Sequence, residues 1–212
     1  MLLDLDGTLV DSRPGIVASH HAALRELGHV PDPGIDLTFV IGPVLEDVIG
    51  QVLAPYGETR AAEAIATYRR HFTETGIFDV SPYGGVAESL SALKRAGLRL
   101  YLATSKRTAF AARILDHLDL ARHFDGIYGS EPDGFRDHKP ELIADIVKRH
   151  AIAAETAAMV GDRRYDIAGA HANGMRGIGA LWGYGGHEEL EAAGADLLVS
   201  SPADLRAALT GR

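Results

Sequence analysis

The pattern of apolar and polar positions changes character twice along this chain. At the start, Leu2-Leu3 points into two aspartates one residue apart, Asp4 and Asp6, and the run closes on Gly7. A short apolar run stopped by a glycine turn predicts a strand end. From Pro14 to about Thr75 the period becomes helical. Ile16, Ala23, Leu24 and Leu27 recur at three- and four-residue intervals, as do Val40, Val44, Val48 and Val52-Leu53. A third helical stretch runs from Ala61 to Phe72, with Tyr68 and Phe72 on one face. Gly28 with Pro31-Asp32-Pro33-Gly34, and later Ala54-Pro55-Tyr56-Gly57, break these helices apart. Ser81-Pro82-Tyr83-Gly84-Gly85 reads as the linker by which the chain leaves this helical segment.

After residue 85 strands and helices alternate. The expected order is helix 86–95 stopped by Gly97, strand 98–103, helix 108–118 and a short strand near 126–128. Helix 140–150, strand 157–161, helix 166–173, strand 177–181, strand 195–199 and helix 202–209 follow. Such alternation predicts an α/β fold with a doubly wound parallel sheet. The expected organisation is a core of residues 1–13 and 83–212, with an all-helical segment, 14–82, inserted after the first strand. Only three residues precede Asp4, so the first strand is expected to be short or to have lost its beginning.

Composition narrows the function classes. The 212 residues are 46% hydrophobic and 24% charged, ordinary for a globular protein. A net charge of −8 argues against a nucleic-acid polymer as partner, because phosphate backbones are held by clustered Lys and Arg. There is no cysteine, hence no disulfide frame, thiolate zinc site or cysteine nucleophile. No apolar run reaches membrane-spanning length and no secretory pattern is present. A cytoplasmic monomer or homodimer is expected.

The chemistry gathers at strand ends. Two carboxylates as close as Asp4 and Asp6 repel each other and call for a cation or a shared proton; Mg²⁺, which takes oxygen ligands, fits. Glycine in fourth place excludes an EF-hand loop, whose glycine is sixth. Further on, the run Leu98–Ala103 ends on Thr104-Ser105-Lys106, where a hydroxyl can donate to a phosphate oxygen. Lys139 precedes Pro140 at an expected helix start. Ala158–Gly161 leads to Asp162 and Asp166 in GDRRYD. In an open parallel sheet the carboxyl ends of the strands line one crevice. Acid pair, hydroxyl, lysine and acid then form one constellation, a metal cage with phosphate clamps.

These motifs, in this order, resemble the haloacid dehalogenase superfamily in its phosphoglycolate phosphatase-like branch, over essentially the whole chain. The resemblance implies a Rossmann-like core with a helical cap that closes over the site. It implies Asp4 as nucleophile, forming an aspartyl-phosphate, and Asp6 as general acid and then base. Thr104 and Lys139 complete the catalytic set, with Gly7, Ser105 and Lys106 at the substrate. Asp4, Asp6 (through its carbonyl), Asp162 and Asp166 would hold Mg²⁺. Asp166 has an equal claim to be a helix N-cap. Lys106 and Arg107 read more simply as a solvated helix start, and the His20-His21 pair as packing or surface.

Asp6 separates this chain from the dehalogenases, which lack that acid. The absence of lysine from residues 14–82 separates it from phosphonate-cleaving relatives, which use a cap lysine. The expected activity is hydrolysis of a small phosphorylated metabolite, 2-phosphoglycolate or a nucleoside 5′-monophosphate. Ile41-Gly42-Pro43, TSK at 104–106, VGDRRYDIAGA at 160–170 and WGYG at 182–185 are similar to a 5′-nucleotidase-like subset. A sugar phosphomutase and a non-catalytic phospho-acceptor or binding protein are the alternatives.

Overall fold

The computed structural model describes residues 1–210. In chain order the elements are β1 (Leu2–Leu3), β2 (Val10–Asp11), α1 (Arg13–Glu26), α2 (Leu45–Leu53), α3 (Ala61–Glu74) and β3 (Ser81–Pro82). Then come α4 (Val86–Arg95), β4 (Tyr101–Arg107), α5 (Thr108–His117), β5 (Gly126–Ser130) and α6 (Lys139–Arg149). The last are β6 (Ala158–Gly161), α7 (Arg164–Ala172), β7 (Arg176–Ala180), α8 (Gly186–Ala192), β8 (Leu197–Val199) and α9 (Leu205–Thr210).

Six strands form one parallel sheet in the order β5-β4-β1-β6-β7-β8. The protein is thus an α/β fold with a Rossmann-like, doubly wound sheet. Side-chain alternation decides its two faces. Leu2, Tyr101, Ala103 and Met159 pack with Leu142, Ile143 and Ile146 of α6 and Ala170 of α7. Leu3, Leu100 and Leu102 turn the other way, onto α4 and α5. β1 lies between β4 and β6, where the strand order reverses. Ligand crevices of open parallel sheets open beyond the strand ends at such a point. Asp4, Thr104 and Asp162 all lie at this place, the last two on or just beyond β4 and β6.

Residues 13–82 carry α1, α2 and α3, so α1 opens one residue before the expected segment 14–82, and it packs along α3. Ser81–Pro82 does not form part of a free linker: it pairs antiparallel with Val10–Asp11, so the two passages of the chain lie side by side at the neck of this segment. The second helix begins at Leu45; before it, Thr38–Val40 is a single tight turn, and Gly42 has φ +109°, outside any helix.

Boundaries elsewhere shift for identifiable reasons. β4 begins at Tyr101 rather than residue 98. Leu98 N–H closes α4 onto Leu93, and the Leu100 N–H is taken by the Asp125 carboxylate at 2.8 Å. β4 also runs past Thr104 to Arg107, with a break in register between Ala103 and Arg107. α7 starts at Arg164, two residues early. β8 covers only Leu197–Val199, although the Asp196 N–H just before it already donates to Gly177 O of β7. The helix expected over 202–209 opens as a tight turn, Pro202–Asp204, before α9. Helix α8 carries too little apolar period to be read from its sequence. Among the described residues no helix is long and apolar enough to cross a membrane.

Candidate active site

The first turn is built around Asp162. After β1 the chain coils tightly, with Leu9 and Val10 N–H both donating to Leu5 O. Gly7 takes φ +81°, and a Cβ there would collide with the Asp162 carboxylate. Only glycine allows this approach. Thr8 Oγ1 donates to Asp162 Oδ1 at 3.1 Å, and Tyr184 N–H donates to Oδ2 at 2.8 Å. Asp4 N–H donates to Val160 O at 2.9 Å, which sets Asp4 at the end of β1 beside β6.

Lys139 ties the strand ends together. It is the first residue of α6 and 3% exposed. Its ammonium lies 2.8 Å from Asp4 Oδ1 and 2.6 Å from Asp166 Oδ1, and donates to Ala103 O at 2.7 Å. All three ammonium protons therefore have acceptors. Burial works against the lysine's charge, but Asp166 and Asp4 outweigh it and hold its pKa above the ordinary value. Asp166 sits one turn into α7 and accepts from Arg163 N–H at 3.1 Å, so it is not the N-cap itself.

Asp4, Asp162 and Asp166 offer oxygens that all lie within 4.8 Å of one another, and all three residues are buried. Three carboxylates facing one ammonium leave two negative charges in excess. Burial pushes Asp4 up to about 7 despite Lys139, with Asp166 and Asp6 adding to the rise. Asp162 is raised well above the carboxylate range, by burial first and then by Asp166 and Asp4. A dry, all-oxygen set short of positive charge fits a hard divalent cation.

In front of this floor lies a cavity of about 350 Å³. Asp4, Asp6, Thr104, Ser105 and Lys106 line it on the sheet side. Lys139, Asp162, Asp166 and Gly7 do not line it; Lys139 meets the cavity through its contact with Asp4. Thr104 is buried and its Oγ1 accepts from Lys106 N–H at 3.2 Å. The Asp6 carboxylate does not join the other three acids. It turns to Lys106, whose Nζ donates to Oδ1 at 2.7 Å and lies 4.9 Å from the centre of the Phe72 ring. The Lys106 side chain, 8% exposed, thus belongs to the site and is not a solvated helix start. Arg107 pairs with Glu46 of α2 at 3.9 Å, and Arg69 of α3 pairs with the same carboxylate.

The far wall comes from α1, α3 and the loop before α2. His20, Tyr68 and Phe72 face the cavity there, with Gly42 and Pro43. Ile41 O is held by the Arg163 guanidinium, which joins this loop to the end of β6. His21, by contrast, does not line the cavity. Among the other histidines, His171 pairs with Asp196 on the surface, and His138 stands at the N-cap position of α6 without a side-chain capping bond.

One group of supporting residues is only weakly signalled in the chain, in WGYG at 182–185. Trp182 Nε1 donates to Thr8 O at 2.9 Å. A Cβ at Gly183 would strike Asp162 and Gly7 O, and one at Gly185 would strike Asp162 O. The Tyr184 hydroxyl donates to Asp11 Oδ1 at 2.8 Å and accepts from Ser12 and Arg13 N–H, at the neck of segment 14–82. Two glycines around an aromatic residue, just after a strand, were the signal: backbone must pass close to something there.

Known proteins resemble this chain over most of its length. Residues 1–180 match the family model described as haloacid dehalogenase-like hydrolase. A 5′-nucleotidase of Pseudomonas aeruginosa is 44% identical, over 91% of this chain and 86% of its own. A phosphoglycolate phosphatase of Aquifex aeolicus is 31% identical over 97% and 93%. The tyrosine-protein kinase PtkA of Mycobacterium tuberculosis is 39% identical over 87% of this chain but 62% of its own. The crystal structure of a predicted phosphatase from Clostridium acetobutylicum superposes with a TM-score of 0.89, at 37% identity, over 98% and 96% of the two chains.

Proposed function

The chain belongs to the haloacid dehalogenase-like hydrolases, and on that premise we propose that it is a Mg²⁺-dependent phosphomonoester hydrolase working through an aspartyl-phosphate on Asp4. The observation that carries this reading is the floor of the cavity. One lysine is shared by Asp4 and Asp166 at 2.8 and 2.6 Å, Asp162 completes the cluster, and Asp6 stands free of it two residues along.

Asp4 attacks phosphorus with a carboxylate oxygen, and the bond to the leaving alkoxide breaks. Asp6 gives its proton to that alkoxide and then takes one from the water that cleaves the acyl phosphate. Lys106 is placed to steady the ionised form of Asp6 between these steps. Thr104 Oγ1 and Ser105 N–H hydrogen-bond the phosphoryl oxygens, and Lys139 keeps Asp4 oriented and charged. Asp4, the Asp6 carbonyl, Asp162 and Asp166 would hold Mg²⁺, whose charge offsets that of the phosphoryl group. The segment 14–82 acts as a cap that roofs the cavity and keeps water out.

The substrate is a small phosphorylated metabolite, a nucleoside 5′-monophosphate or 2-phosphoglycolate. A kinase reading is less well supported. A tyrosine of another protein would have to reach Asp4 past α1 and α3, and the cavity suits a small molecule better. The test is phosphate release with Mg²⁺ from a panel of phosphomonoesters. Chelator should stop it, Mg²⁺ should restore it, and Asp4→Asn should lower it by roughly a thousandfold or more with little change in melting temperature. Undiminished release from Asp4→Asn would remove Asp4 as nucleophile.

A further inference from the structure

The far wall of the cavity has a chemistry of its own. His20 is 1% exposed, and its ring packs against Tyr68 with centroids 4.6 Å apart. Its Nδ1 is sealed from solvent with no hydrogen-bond partner. A buried orphan N–H is rarer and costlier than a buried lone pair, so the proton belongs on Nε2. That nitrogen is not sealed, and no partner within the described residues takes it. Burial, and then the neighbouring His21, push His20 down to about 3, so the ring is a neutral donor at neutral pH. Beside it Tyr68 and Phe72 stack nearly parallel at 5.7 Å, and Phe110 meets Phe72 edge-on.

Charge around the cavity disfavours one kind of substrate. The cations lining the cavity are Lys106, Arg69 and Arg107. Lys106 is bound to Asp6, and both arginines to Glu46. A second anionic group on a substrate would have to displace one of these acids. Glu131, Asp133 and Asp137 also line the cavity and add to the repulsion. The volume, about 350 Å³, corresponds to roughly a dozen water volumes, more than a phosphorylated two-carbon acid fills.

We propose that His20, with Tyr68 and Phe72, forms a subsite for the neutral, ring-bearing half of a phosphomonoester, and that it selects nucleoside 5′-monophosphates over phosphorylated carboxylic acids, with His20 Nε2–H donating to an acceptor on the nucleoside. This rests on the hydrolase reading and decides between its two substrates.

The experiment compares kcat/KM for a nucleoside 5′-monophosphate and for 2-phosphoglycolate in the wild type, His20→Phe and His20→Asn. Nucleoside 5′-monophosphate binding to Asp4→Asn is measured alongside by calorimetry. The wild type should prefer the nucleotide at least about tenfold. His20→Phe keeps the ring and loses the donor. It should cut that ratio about tenfold, the worth of one good hydrogen bond, chiefly through KM; His20→Asn should restore part of it. A preference for 2-phosphoglycolate, or an equal loss on both substrates in His20→Phe, overturns the subsite and leaves the hydrolase standing. Nucleotide binding to Asp4→Asn without turnover by the wild type overturns the hydrolase and leaves the subsite. Neither binding nor turnover overturns both.

Discussion

Two lysines are bound to the first-turn acids, Lys139 to Asp4 and Lys106 to Asp6, and they are held in contrasting ways. Lys139 has three oxygen acceptors and no freedom left. Lys106 has one carboxylate, Asp6, and a ring face. The first is an architectural charge, without which the acids of the floor could not be packed together. The second has a single ionic partner. The floor is over-determined by ion pairs, and the wall above it is aromatic with donors left open. Rigid charge at the reacting end and unfilled bonding capacity at the other suit a site with one chemistry and a selective choice of substrate.

The contrast is sharpened most by removing each lysine. Lys139→Met leaves buried acids without their counter-charge and should cost about 3–5 kcal/mol, read as a lower denaturation midpoint, with Mg²⁺ recovering part of it. Lys106→Met should cost less than half as much. Equal losses would abolish the distinction between the two. Acid titration probes the wall next. His20 is held near 3 in the folded protein against an ordinary value of about 6.5. The unfolded chain therefore takes up the proton first, and the stability this neutral ring contributes is lost as pH falls from 6.5 toward 3. Asp4, raised to about 7, runs the opposite way, its share being present in acid and lost as pH rises through 7. The difference between wild type and His20→Phe isolates the histidine. Stability should fall by about 2–3 kcal/mol more in the wild type between pH 7 and 4.5; parallel curves would show that His20 is not held neutral. The smallest effect belongs to Tyr184→Phe, which removes the hydroxyl bonds to Asp11, Ser12 and Arg13 while keeping the backbone bond to Asp162. About 1 kcal/mol should be lost in urea unfolding; an unshifted midpoint would mean the neck is held by β2 and β3 alone.

The floor was legible in the chain because its residues are spaced by backbone geometry. Asp4 and Asp6 stand around one turn, Thr104 lies just past an apolar run, and Lys139 begins a helix before proline. Each position follows from where a strand stops or a helix starts. The doubly wound sheet was legible for the same reason, since its strands are apolar on both faces. The wall was not. His20 comes from α1 and Tyr68 and Phe72 from α3, and nothing in helical periodicity says that a ring nitrogen of His20 goes unpaired. Lys106 misled because a lysine at a helix start is usually solvated, and only the tertiary approach of Asp6 and Phe72 buries it. The shift of β4 to Tyr101 came from the Asp125 carboxylate capturing one N–H, an event local propensity does not record.

The place of β1 in the sheet also sets an order of assembly. Its ladder partners are Tyr101 and Leu102 on one side and Met159 and Val160 on the other. Asp4, near the start of the chain, therefore has no sheet to join until a strand made much later has emerged from the ribosome. The neck pairing of Asp11 with Ser81 can form sooner, because Ser81 is synthesised before Tyr101 and Met159, and it can hold the early segment near the growing core. Contacts this distant in sequence slow folding. The last steps of synthesis, not the first, should bring the acid cluster together, so that a nascent chain halted before residue 160 holds Asp4 without a site around it.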